Sequence, residues 1–112
     1  MTSYFHGGPR GLRRILPPSV TGAHSSAEFG NHVVRHDRVY VTTNYTAAAM
    51  YAALQPCGKG VVYEVRPLGK LEHDPDCKDL GLSFQCESAL VLKATRLKTK
   101  HRLRILRELM TP

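Results

Sequence analysis

The stretch RVYVTTNYTAAAMYAALQPCGKGVVYEVR, residues 38–66, changes its pattern twice and so decides the fold. Arg38 to Thr42 is β-branched and aromatic, the composition of a strand that packs on a pleated surface. Thr43 or Asn44 then caps a helix through TAAAMYAALQ, which is rich in alanine and free of breakers until Pro56 and Gly58. Gly60 to Arg66 returns to β-branched and aromatic residues and is the clearest strand of the chain.

Toward the C-terminus, Pro67 and Gly69 turn that strand, and Lys70 to Glu72 has the composition to pair again before the polar loop DPDCKDLG. Cys86 to Leu97 reads as one long apolar-rich strand. The tail from His101 to Met110 fits a helix better than a strand, with Leu103, Leu106 and Met110 on one face and Ile105 and Leu109 broadening it. Toward the N-terminus, residues 2 to 6 (TSYFH) form a short strand that stops at Gly7 and Gly8 and delivers His6 to its end. From Arg10 to Asp37, Pro17, Pro18, Gly22 and Gly30 interrupt any regular pattern, so this long N-terminal loop is a candidate lid over a ligand. The later crossings are too short to carry helices. The chain therefore reads as one α+β domain, residues 1–112, dominated by antiparallel sheet with one or two helices.

Composition narrows the function classes. Cys57, Cys77 and Cys86 form no CxxC pair and are odd in number, which speaks against a disulfide framework and a zinc ribbon, and for a reducing cytoplasm. A zinc site from His73, Cys57, Cys77 and Cys86 has no standard spacing, so no metal is expected and Cys86 reads as a buried small hydrophobe. The N-terminus has no secretory pattern, and no apolar run approaches the roughly 20 residues that span a bilayer. Sixteen Lys and Arg stand against nine Asp and Glu, a net charge of +7. The excess gathers late: Lys93 to Arg107 holds seven Lys and Arg together with His101 and no acid. Such a potential attracts phosphates, on a nucleic acid or on a dinucleotide.

Three local features carry chemistry: His6 before two glycines, Tyr40 and Tyr51 on either side of a strand-to-helix turn, and Glu87 at a strand start. Each has an ordinary structural reading, as surface histidine, core tyrosine or solvated acid. Together they are more specific. YFHGG at 4–8, VYVTTNYTAAAMY at 39–51 and QCESALVL at 85–92 resemble, in order and separation, the His, Tyr and Glu motifs of ADP-ribosyltransferases. Within that superfamily the chain most resembles the rifampin ADP-ribosyltransferase family, small bacterial enzymes that modify the antibiotic using NAD. The likeness runs through nearly the whole chain, with a shorter N-terminus and a shorter loop before Cys86, and with Phe5 interposed between Tyr4 and His6.

The resemblance implies a small ADP-ribosyltransferase-like fold with a split antiparallel sheet and a single site that takes NAD as co-substrate without a metal; a monomer is expected. His6 would hydrogen-bond a ribose hydroxyl, and the Gly7 backbone would hold the nicotinamide carboxamide, since glycine allows close backbone approach. Tyr40 corresponds to the aromatic strand of the antibiotic-modifying family. The spacing of eleven to Tyr51 resembles the tyrosine pair of the wider superfamily, whose faces flank a flat cationic ring. Thr42 lies beside Tyr40 in this donor site, and Arg13 or Arg14 would meet the pyrophosphate. Glu87 would hydrogen-bond the 2′-hydroxyl of the nicotinamide ribose and stabilise the positive charge that develops as the N-glycosidic bond breaks. Asp74 matches the family's acid or simply marks an Asp-Pro turn.

Four functions follow. The first is transfer of ADP-ribose to a rifamycin-type antibiotic, a resistance activity; the second is the same transfer to a protein or nucleic acid, as in toxins. The third is a non-catalytic basic nucleic-acid-binding module in which Tyr4, Phe5 and Tyr40 stack bases, and the fourth a non-catalytic NAD binder.

Overall fold

The computed structural model describes residues 2–17, 38–79 and 81–110. Its strands are β1 (Tyr4–Pro9), β2 (Arg14–Ile15), β3 (Val39–Thr42), β4 (Gly60–Leu68), β5 (Glu72–His73), β6 (Ser83–Cys86) and β7 (Ser88–Arg96). Helix α1 (Tyr45–Ala53) follows β3, a short 3₁₀ turn (Pro56–Gly58) precedes β4, and helix α2 (Thr99–Met110) follows β7. The strands form one sheet in the order β2-β7-β4-β1-β3-β6-β5, and every pairing is antiparallel. The domain is thus α+β, with an antiparallel sheet and two helices among the described residues.

One junction in that order is thin. β1 pairs with β4 at every position from Tyr4 to Pro9, but with β3 only at Phe5↔Thr42. The sheet therefore behaves as two halves, β2-β7-β4-β1 and β3-β6-β5. Alternation along each strand divides the apolar residues between two clusters. Val39, Val41, Val61, Tyr63, Val65, Cys86 and Ala89 meet between the halves, with Tyr4 and Phe84 against them. On the opposite face, Val62, Phe5 and Leu97 pack under the two helices.

The alanine-rich helix explains itself through its neighbours. Asn44 caps it, its side-chain oxygen accepting the Ala47 N–H at 3.1 Å. Ala48, Ala49, Ala52 and Ala53 are fully buried against the sheet. A Cβ on Gly7 would strike the Ala48 carbonyl and the Ala52 nitrogen, and one on Gly60 would strike the Ala52 carbonyl. Helix backbone rests almost directly on strand backbone at these two points.

Several sequence expectations shift accordingly. β1 does not stop at Gly7 and Gly8 but continues to Pro9, because Gly7 serves the helix contact while staying in the β4 ladder opposite Val62. β4 runs through Pro67 to Leu68, and the turn falls at Gly69, whose φ is 77°. Proline is tolerated there because β1 ends opposite Val65, so Pro67 has a strand partner on one side alone. The strand expected from Cys86 to Leu97 is β7 on β4 and starts after Glu87, while Cys86 ends a separate, unexpected strand, β6 on β3. In the N-terminal loop, Arg14 and Ile15 form a strand on β7 opposite Leu90 and Ala89. The rest of the expected lid, residues 18–37, lies outside the described residues. In α2 the packed residues are Ile105 and Leu106, whereas Leu103, Leu109 and Met110 face solvent, since only one side of the helix reaches α1.

Replacing Gly7 with alanine is expected to lower stability by about 2–3 kcal/mol, because the new methyl meets rigid backbone rather than a mobile side chain. A shifted urea midpoint at unchanged slope would show it.

Candidate functional site

The site forms where the two half-sheets part. β1 alternates so that Phe5 and Gly7 face α1 while Tyr4 and His6 face the other way, His6 directly opposite Tyr63. Past Phe5 the ladder to β3 lapses, and a side chain spans the gap. His6 Nδ1 lies 2.8 Å from the Tyr40 carbonyl on β3. A carbonyl only accepts, so Nδ1 carries the proton and donates it. Nε2 is then left with a lone pair.

Burial lowers the His6 pKa below 6.5, and the Tyr40 carbonyl offsets this only in part. The imidazole is neutral near pH 7 and offers an acceptor nitrogen to a hydroxyl donor. Gly8 lies against Nε2, where a Cβ would come within 3.4 Å, so the glycine keeps that side of the ring open. The turn after β1 is pinned by the fully buried Tyr63, whose hydroxyl donates to the Pro9 carbonyl and accepts the Leu12 N–H at 3.2 Å. Tyr63 was read from the sequence as a strand residue only; its cross-strand register with His6 is what gives it this role.

The other sequence-predicted residues fall into three groups. Tyr40 and Thr42 share β3 and a face opposite Val39 and Val41. The Thr42 hydroxyl donates to the Leu82 carbonyl at 2.8 Å and accepts the Asn44 N–H at 3.1 Å, so it is committed to the helix entry. Tyr51 and Asp74 lie near enough to interact: the Tyr51 pKa is raised by partial burial first, then by the Asp74 charge and Cys77. Asp74 is also a turn residue. Its carboxylate accepts the Asp76 N–H at 2.9 Å and the Ser83 hydroxyl at 3.0 Å.

Glu87 stands in the bend between β6 and β7, its exposed side chain against Gly69. It is the residue at which the chain passes from one half-sheet to the other. Cys86 beside it is fully buried, its thiol donating to the Ser88 carbonyl at 3.3 Å. Burial pushes that thiol's pKa up, against weaker opposition from hydrogen bonds at Leu68 and Ser88 and from the Arg38 charge, while the Glu87 charge adds to the rise. Cys86 is accordingly a neutral core residue rather than a nucleophile. Arg13 and Arg14 are exposed, and their strand contacts on β7 at Leu90 and Val91 set them a few residues from Glu87.

Two residues were missed. Arg38 reaches Glu72 at 3.7 Å, and Gln85 is 5% exposed opposite both Tyr40 and Glu72. Among the described residues, Arg38 Nε and Gln85 Oε1 are buried without a hydrogen-bond partner. The signal was a glutamine between Phe84 and Cys86 in an otherwise apolar run. No group of acids, histidines and cysteines suited to a metal occurs among the described residues, and none of the described helices is long and apolar enough to cross a membrane.

Compared with models of known protein families and with curated proteins, the chain matches none.

The lowered His6 pKa fixes a pH dependence. Below pH 6.5 the unfolded chain binds a proton at His6 that the folded chain resists, so stability is full above that value and declines as pH falls through it. His6→Asn, whose amide can still donate to Tyr40, is expected to flatten the decline between pH 6.5 and 5 in thermal melts.

Proposed function

We propose that this chain is an NAD-dependent ADP-ribosyltransferase, a glycosyltransferase that cleaves the nicotinamide N-glycosidic bond and passes ADP-ribose to an acceptor. The observation that carries this reading is the His6 ring held across the sheet opening by the Tyr40 carbonyl, with Nε2 left as an acceptor. It suits a ribose hydroxyl, as the resemblance of the YFHGG, VYVTTNYTAAAMY and QCESALVL motifs implies. The residues present fit such a donor: a neutral acceptor nitrogen, a stretch of β1 at Gly7 that is unpaired on its β3 side, exposed arginines at 13 and 14, and an exposed carboxylate at Glu87.

In this reading His6 orients the ribose and Gly7 lies beside the carboxamide. Tyr40, whose backbone carbonyl holds His6, and Tyr51, which lies within the field of Asp74, are both candidates to stack on the ring. Glu87 takes a 2′-hydroxyl hydrogen bond and opposes positive charge on the sugar as the bond to nicotinamide breaks, an interaction stronger in the transition state than in the ground state. The acceptor then supplies an oxygen or nitrogen to the anomeric carbon. Asp74 acts through the turn it builds rather than on the substrate.

Release of nicotinamide from NAD, followed with rifampicin, RNA, DNA or cell lysate as acceptor, tests the reading. Glu87→Gln is expected to cut the rate by about a hundredfold or more while the protein stays folded. A folded wild-type protein that releases nicotinamide under none of these conditions would sink it. Gly69 provides a second arm. Its φ of 77° disfavours any side chain, and an added Cβ would displace the Glu87 carboxylate. Gly69→Ala should therefore lower kcat, on the order of a hundredfold for a carboxylate moved by an ångström, beyond its effect on folding.

A further inference from the structure

We propose that the end of the domain where β1 and β7 finish and β4 begins is a docking surface for the phosphodiester backbone of a nucleic acid, which makes nucleic acid the acceptor class; this last step rests on the transferase reading above. The antiparallel register assembles the surface from distant sequence. Pro9 pairs with Gly60 and Val61 with Arg96, and the Leu97 N–H donates to the Gly60 carbonyl at 3.1 Å. Arg10, Lys59, Arg96 and Lys98 are thereby carried to one edge, all exposed. Lys100 and Arg104 extend the edge along α2, also exposed.

None of these six cations is in an ion pair among the described residues, whereas Arg38 pairs with Glu72 on the other half-sheet. Their arrangement works against the fold. The first turn of α2 has no acidic residue, and Lys98 and Lys100 stand at the end of the helix whose dipole is positive. Lys100 and Arg104 repeat the conflict as like charges one turn apart. Cations placed against a dipole and against each other raise the local positive potential, and a bound polyanion relieves both conflicts at once.

The size of the surface selects the anion. From Lys98 to Arg104 the cations rise about 9 Å along α2 at 1.5 Å per residue, and with Arg10, Lys59 and Arg96 on the adjoining strand ends the surface offers six charges, more than one pyrophosphate neutralises and suited to successive phosphates. Its position also fits an acceptor. Arg96 lies eight residues along β7 from Ser88, roughly 26 Å from the Glu87 end, whereas Gly8, opposite Val61, is two residues from His6. A strand anchored at this end and running past the His6 row toward the Glu87 end brings an acceptor group to the anomeric carbon.

The test is fluorescence anisotropy of labelled 20-nucleotide RNA and DNA strands with the full chain across a potassium chloride series. The comparison is a variant carrying Lys59→Gln, Arg96→Gln, Lys98→Gln and Lys100→Gln, with circular dichroism as the folding control. Binding that weakens steeply with salt is expected, and the variant should bind at least tenfold more weakly, its log–log salt slope reduced by about 3. Salt-independent binding, no binding at low salt, or a folded variant that binds as tightly as the wild type would each overturn the proposal. So would equal affinity for anionic vesicles or polyglutamate. Nicotinamide release is measured in parallel on the same proteins. Nicotinamide release by a wild-type protein that binds no nucleic acid rejects the docking surface alone, and nucleic-acid binding without any release rejects the transferase reading alone.

Discussion

The contact between helix α1 and strands β1 and β4 governs the rest of the domain. Gly7 and Gly60 let the helix backbone settle against the sheet, and the four buried alanines keep it there. Because β1 must give Gly7 to the helix, its neighbours His6 and Gly8 face the other way by the alternation of the strand. The inward placement of His6 is thus a by-product of helix packing. A bulkier residue at either glycine would lift the helix and rotate the row on which His6 stands.

From that placement the opening between the half-sheets acquires its chemistry. A backbone ladder that lapsed after Phe5 would leave polar groups to be satisfied by water, and the Tyr40 carbonyl is instead met by an imidazole. Beside the pairing at Phe5 and Thr42, this hydrogen bond also ties the halves together, and it selects a tautomer. Tyr63, bound to Pro9 and Leu12, fixes the turn that follows the ring.

Much of this was legible in the sequence, for identifiable reasons. The strand at 39–42, the Asn44 cap and the alanine helix are local, set by side-chain shape and one capping bond, and they stand where the residues indicate. His6 and Tyr40 were named from motifs, and the structure brings them into contact. What failed to show was nonlocal. Gly7 and Gly8 looked like a strand end because a glycine required by a helix on top of a sheet has the same letter as one required by a turn. Pro67 looked like a terminator because its tolerance depends on where another strand stops. Glu87 was named at a strand start, but the bend there and the change of partner strand did not show, since nothing in QCESALVL marks them. Arg38 and Gln85 escaped notice because their burial is a property of the assembled half-sheet.

The bend at Glu87 has a consequence for the spacing of the chain itself. Cys86 and Ala89 are both fully buried, one at the end of a strand on β3 and the other near the start of a strand on β4. Only Glu87 and Ser88 separate them. Adding or removing one residue here would turn every side chain of β7 to the opposite face, ejecting Ala89 and Val91 and driving Leu90 inward. The segment that reads as an unbroken strand in the sequence is therefore the place where the molecule tolerates a change of length least.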